Sequence, residues 1–276
     1  MDRDARNWHA RVARMRVPLG GSTMSLQRER TLILTVLLIL TAASWAILIW
    51  QSRTANTMGM GLTMGMGAAL FLAIWVVMMI AMMFPTVAPM ILVFARVQRD
   101  RGSFGRAFGL ICVFVGAYLL IWTLFGELSY LGALAASGLA QQIPWIMMNA
   151  ARIGGGILVL AGLYQLTPLK RVCLAKCRTP QDFILHSWRE GYPGSFRMGL
   201  EHGIYCLGGN WLLFVLLFPL GMMNIAALVL LTALIFAEKR FPLGARIAQC
   251  ASLALILYGA LVIVVPAALS LSGLGM

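Results

Sequence analysis

Long apolar runs separated by short basic connectors dominate the chain. They occupy roughly 31–50, 67–94, 107–126, 146–166, 202–220, 222–237 and 246–269. Each is long enough, or nearly so, for a helix across a hydrocarbon core of about 30 Å. Inside lipid every backbone N–H and C=O must be paired within its own segment, so such runs predict helices. The sixth run is short. It is divided from the fifth by "FPLGMMN", where Pro219 and Gly221 are expected to break the helix. One long bent helix through both runs is the alternative. In the second run, Pro85 and Pro89 predict a kink or an end near the terminus of the span, with freed carbonyls that need partners. The pattern as a whole predicts an all-α polytopic transmembrane helical bundle of about seven spans.

Composition removes the soluble alternatives. The 276 residues are 61% hydrophobic and 11% charged, with a mean hydropathy of +0.86. A soluble domain has no interior large enough to hide that much apolar surface. The net charge of +13 therefore reads as topology rather than as a nucleic-acid surface. Of the 22 Lys and Arg, all but Arg53 and Arg152 fall in 1–30, 95–106, 167–201 and 238–246. Seven spans place these four stretches on one side, and the positive-inside rule makes that side cytoplasmic. The N-terminus is then cytoplasmic and the C-terminus periplasmic. Merging the fifth and sixth runs would put the 238–246 cluster outside, which argues against the merger. The division is a basic cytoplasmic arm, 1–30, and one membrane domain, 31–276, with a cytoplasmic connector at 167–201 between spans four and five.

The arm shows no cleavable signal pattern. Ala5, Trp8, Val12 and Met15 recur at roughly helical intervals among Arg3, Arg6, Arg11, Arg14 and Arg16. This pattern fits a basic amphipathic helix on an anionic leaflet, with Trp8 at the interface. An arm that only fixes topology fits equally. Met24 reads as an alternative start.

Candidate chemistry begins at "CLAKC". Cys173 and Cys177 stand at i and i+4 and share a face if the stretch is helical. On the cytoplasmic side thiols stay reduced and available as ligands. Lys170, Arg171 and Lys176 nearby favour the thiolate. "HGIYC" then supplies His202 and Cys206, again at i and i+4, where span five begins. Cys173, Cys177, His202 and Cys206 form a four-ligand set of thiolate and imidazole, which suits copper(I) or zinc. Glu201 is a candidate to orient an imidazole, and His186 is a weaker fifth ligand. The alternative is structural thiols. An odd total of five cysteines argues against a disulfide framework, and Cys112 and Cys250 read as small core residues.

Eighteen methionines add a second pattern. Met58, Met60, Met64 and Met66 lie at the outer mouth of span two. Met78, Met79, Met82, Met83 and Met90 lie within it, with 78/82 and 79/83 at i and i+4. Thioethers are soft, uncharged donors that a bilayer tolerates, so these residues trace a path for a soft metal. Methionine is also a common gap-filler in apolar helices.

These segments carry a resemblance. "WVVMMIAMMFPTVAP", "YQLTPLKRVCLAKCRTP", "HGIYCLGGNW" with "FPLGMMN" after it, and "AEKRFPLG" resemble the DUF2182 group of bacterial integral membrane proteins, described as predicted metal-binding. The resemblance runs from about residue 26 to the end. It implies a multi-span fold in a bacterial inner membrane and a metal site on Cys173, Cys177, His202 and Cys206. One departure stands out. Members of that group usually continue the third motif with two cysteines, where this chain has Gly209 and Asn210.

The resulting expectation is a multi-pass protein that binds or handles a soft metal, copper before zinc. The alternative is a non-transporting subunit of a larger membrane complex with a reduced metal site. Lipid is the expected surrounding and membrane-complex subunits the expected partners. An enzyme is not expected, because HExxH, GxSxG and a membrane-centred acid pair are missing. The lysines, Lys170, Lys176 and Lys239, read as connector residues, which leaves none for a retinal Schiff base.

Overall fold

The computed structural model describes residues 23–55, 62–63, 65–99 and 104–268. Among these, all regular structure is helical. The helices are α1 (Thr23–Ala55), α2 (Ala68–Arg99), α3 (Phe104–Gln142), α4 (Pro144–Met148), α5 (Ala150–Gln165), α6 (Pro168–Arg178), α7 (Pro180–Ser187), α8 (Gly191–Val215), α9 (Leu217–Leu220), α10 (Ile225–Arg240) and α11 (Gly244–Val264).

Five stretches are long and apolar enough to cross a membrane: Gln27–Arg53, Ala68–Arg99, Gly105–Gln142, Gly191–Leu220 and Gly244–Val264. The α5–α6 pair, bent by 64°, makes a sixth if it counts as one broken span. The predicted sixth run becomes α10, whose 16 residues reach about 24 Å, short of a hydrocarbon core of about 30 Å. The break before it is as expected. Gly221 adopts φ 89°, a value that favours glycine, and the Asn224 side chain then caps α10 by accepting from Ala227 N at 3.2 Å.

Helix bounds differ from the apolar runs in several places, α3 among them, which continues past residue 126 to Gln142. α1 starts at Thr23, ahead of the arm boundary predicted at residue 30. The 167–201 connector, whose cysteine stretch reads as a possible helix, is helical over most of its length. It folds as α6, α7 and the start of α8, with Pro168 and Pro180 in the first turns of α6 and α7 and Thr167 Oγ1 accepting from Lys170 N. Finally, α2 neither ends at its prolines nor stops near residue 94, but continues through both to Arg99. The Ala81 carbonyl, which Pro85 cannot serve, accepts instead from Trp45 Nε1 of α1 at 3.2 Å.

Close helix contacts rest on small residues, as lipid-embedded packing requires. A β-carbon on Gly155 would lie 2.8 Å from the Gly259 carbonyl oxygen, and one on Gly162 2.8 Å from that of Ser252. Ser252 Oγ donates to the Gly162 carbonyl at 2.7 Å, joining α5 to α11. Gly199 and Gly203 set α8 against Phe114 and Ile121 of α3. Trp75 lies over Gly126 and donates to the Trp122 carbonyl at 2.9 Å. Leu38, Leu124 and Leu257 are among many large apolar side chains left on outer faces, where lipid suits them.

Cys112 and Cys250 lie exposed on helix surfaces rather than in the core. They are small apolar residues on outward-facing turns. The arm residues Arg3, Arg6, Trp8, Arg11, Arg14 and Arg16, and Met58, Met60 and Met64, lie outside the described residues.

Candidate metal centre

The two predicted cysteine motifs do fold as helices and do meet. α6 carries Cys173 and Cys177 on one face, the first buried and the second half-buried. α8 carries His202 and Cys206, both buried. The close approach of α6 to α8 depends on Gly208, where a β-carbon would lie 2.8 Å from Cys173 Sγ. Tyr164 OH donates to the Gly208 carbonyl and ties the end of α5 to the same point. At Gly209 a β-carbon would meet Cys173 Cβ at an ordinary 3.8 Å, so a side chain has room there.

Cys206 Sγ is the centre of the cluster. Cys177 lies within hydrogen-bonding reach of it. Tyr118 OH of α3 is 3.2 Å away, Met83 Sδ of α2 is 4.0 Å away, and Lys239 Nζ of α10 is 3.1 Å away. Lys239 Nζ also lies 4.0 Å from Met83 Sδ and 3.5 Å from Thr86 Oγ1. Asn210, one turn on from Cys206, donates to its carbonyl at 2.6 Å and lies 3.9 Å from its sulfur. An ammonium against a sulfur, with water excluded, provides the countercharge that a thiolate needs. Five helices thus bring two thiols, a thioether, a phenol and an ammonium to one buried point.

His202 stands beside this cluster. Its ring is packed against Phe114, Tyr118 and Phe183, with centroids 6.1, 5.6 and 5.4 Å away. Its Nδ1 is buried without a hydrogen-bond partner. His202, Cys177, Thr86 and Lys239 share the lining of a cavity of about 10 Å³, room for one water-sized species. Among the described residues, no three His, Cys, Asp or Glu side chains stand close enough together to hold a metal as they lie.

A second buried ionic group adjoins the first. Lys170 Nζ bonds Glu238 Oε2 at 2.7 Å, and Gln165 Nε2 donates to Glu238 Oε1 at 3.1 Å. The lysine and the glutamate are 1% and 0% exposed.

Several predicted roles change. Lys170 is not the cation beside the thiols, because Glu238 holds it. That part falls to Lys239, read in sequence as a connector residue and found only 7% exposed. Glu201 does not orient His202 but pairs with Arg197 on its own helix at 3.5 Å. His186 caps back onto the Asp182 carbonyl at an exposed position. Met78, Met79 and Met82 are fully buried in the apolar core, while Met83 reaches the thiol. Met66, at 7% exposure, packs at the far end, its carbonyl accepting from Tyr130 OH. Tyr118 and Lys239 had no local signal, although Lys239 lies within the quoted "AEKRFPLG" motif.

Five or six apolar helices around a buried thiol, a half-buried one and a thioether define a helical membrane protein whose donors suit copper(I). The chain belongs to the PpoB2 copper chaperone family, whose family model matches residues 72–262, from α2 to α11. That span contains every residue of the thiol cluster and excludes Met58, Met60, Met64 and Met66. No curated protein and no solved structure matches the chain.

Proposed function

We propose that this protein is a multi-pass carrier that accepts copper(I) on the Cys177–Cys206 thiol pair and hands it on. Met83 supplies a thioether, and Cys173 and His202 supply flanking donors. The observation that carries the reading is the surrounding of Cys206: a second thiol, a thioether at 4.0 Å and an ammonium at 3.1 Å. Thiolate and thioether donors select copper(I) over harder ions. The orphaned His202 Nδ1 supports a ligand role for the imidazole. Lys239 holds the place of the cation in the metal-free protein, and incoming copper displaces its ammonium from the sulfurs. Zinc is the second-ranked cargo on the same residues.

The charge distribution supports a bacterial inner-membrane location with the thiol cluster toward the cytoplasm and seven spans, α10 included. The protein works by binding, not by bond-making catalysis. A structural subunit with a reduced metal site is the second reading, supported by Gly209 and Asn210 in place of cysteines. Elemental analysis of detergent-purified protein tests the choice. Copper is expected near one per chain in the unmodified protein and at background with Cys177→Ser and Cys206→Ser together. Equal, negligible copper and zinc in both would remove the carrier reading and leave the structural one.

A further inference from the structure

A cleft of about 470 Å³ opens between α1, α2 and α3 at the arginine-rich end of the bundle. Its walls change character with depth in the same way on α1 and α2, while α3 adds an apolar wall. On α2, Pro89, Leu92 and Val93 lead to Arg96 and Arg99 along one helical stripe, from the apolar interior to the helix end. On α1, Arg30 and Gln27 lie at the end and Ile33 lies deeper. On α3, Phe108 near the helix start and Ile111 one turn further in line the same cleft. Because α2 runs antiparallel to its two neighbours in sequence, the charged positions of α1 and α2 gather at one level and the apolar positions at another. Arg99 Nε is fastened to Glu29, at 2.9 and 3.0 Å from its two carboxylate oxygens, which joins α1 to α2 at the mouth. Arg30 and Arg96 line the same mouth and are exposed. Among the described residues that line the mouth, three guanidinium groups stand against one carboxylate, a net positive balance.

We propose that this cleft binds an anionic glycerophospholipid, with its phosphate at Arg30 and Arg96 and the first part of an acyl chain along Leu92, Val93 and Ile111. From Pro89 to Arg99 is ten residues of helix, about 15 Å. That covers a headgroup and the upper methylenes, whereas a free phosphate would occupy only the mouth. Basic pockets between membrane helices at the cytoplasmic leaflet recognise anionic headgroups in this way. The chain's own N-terminal arm is the wrong occupant by charge, because Arg3, Arg6, Arg11, Arg14 and Arg16 would face Arg30 and Arg96.

Native mass spectrometry of the full-length protein in mild detergent tests the site. Phosphatidylglycerol, cardiolipin, phosphatidylethanolamine and inorganic phosphate are added in separate arms. The anionic lipids are expected to stay bound, phosphatidylethanolamine to bind at least tenfold less, and phosphate not at all. Arg30→Gln with Arg96→Gln is expected to lower anionic-lipid retention by on the order of tenfold. Leu92→Trp, which fills the apolar part without changing charge, should lower it as well. Arg99 is left in place because it joins α1 to α2. Equal retention of the zwitterionic and anionic lipids, phosphate binding equal to that of the lipids, or unchanged retention in the arginine double variant would each overturn the proposal. Unfolding temperature and copper content, read on the same samples, show that each variant is folded.

Discussion

Glu238 and Lys239 are neighbours in sequence, yet they serve two different buried ionic groups. Glu238 turns to Lys170 and Gln165, so that ammonium has a carboxylate at 2.7 Å and the carboxylate has an amide as well. Lys239 turns to Cys206, Met83 and Thr86. The first ammonium is matched by a carboxylate side chain. The second faces two sulfurs and a hydroxyl, of which only the thiol can ionise. Carboxylate and ammonium, once buried together, stay together because separation leaves a bare charge in a low dielectric. A sulfur centre with an ammonium has another choice of partner, since a soft metal ion suits it better. The contrast teaches that the Lys170 group ties α5, α6 and α10 together through matched charges, while the Lys239 group next to it is the one that the proposed carrier function requires to exchange.

The strongest way to break this comparison is Lys170→Ala. Leaving Glu238 buried without its counterion is expected to cost about 3–5 kcal/mol of stability, read by thermal unfolding in detergent, with unchanged copper content in the folded fraction. Lys170→Met combined with Glu238→Leu should recover most of that loss, because an apolar pair removes the burial penalty. Should Lys170→Ala instead strip copper and leave stability intact, the assignments of the two groups would be reversed.

Lys239→Met is expected to do the opposite. Stability should change by about 1 kcal/mol or less, whereas copper(I) affinity should rise by about tenfold, equivalent to roughly 1.4 kcal/mol, as read by competition with a copper(I) chelator. A weaker affinity would show that the ammonium helps hold the metal rather than standing in for it. Asn210→Cys sharpens the same point. It places a third thiol one turn from Cys206, in a position whose side chain already reaches that sulfur, and a several-fold gain in copper retention is expected. The smallest effect is Tyr118→Phe. It removes the hydroxyl 3.2 Å from Cys206, for a loss of about 0.5–1.5 kcal/mol in the metal-free protein and little change once copper is bound.

The helices were legible because lipid imposes a simple rule on long apolar runs, and the turn at Pro219 and Gly221 because those residues have few other conformations. Two i, i+4 motifs marked Cys173, Cys177, His202 and Cys206 as one group, but not which thiol of the first motif lies beside Cys206. What hydropathy could not read was the fold of 167–201, where "KRVCLAKCR" looks like a solvated connector. Its prolines fall in first turns, and Lys170 is buried by Glu238, a residue 68 positions away. The rest of the centre was hidden for the same reason. Tyr118 is 88 residues from Cys206, and Met83 is 123. Such distances carry no periodicity. Lys239 was counted with the topological charges, although it faces inward.

The α5–α11 seam has a consequence for how the protein is made. Gly155 and Gly162 find their partners, Gly259 and Ser252, only when the last helix is in place. The thiol cluster draws on α2, α3, α6, α8 and α10, all translated earlier. All residues of the thiol cluster are therefore made before the α5–α11 seam can close. A chain lacking α11 would leave Gly155 and Gly162 of α5 without the backbone they approach, so the seam is the last contact that synthesis can complete among the described helices.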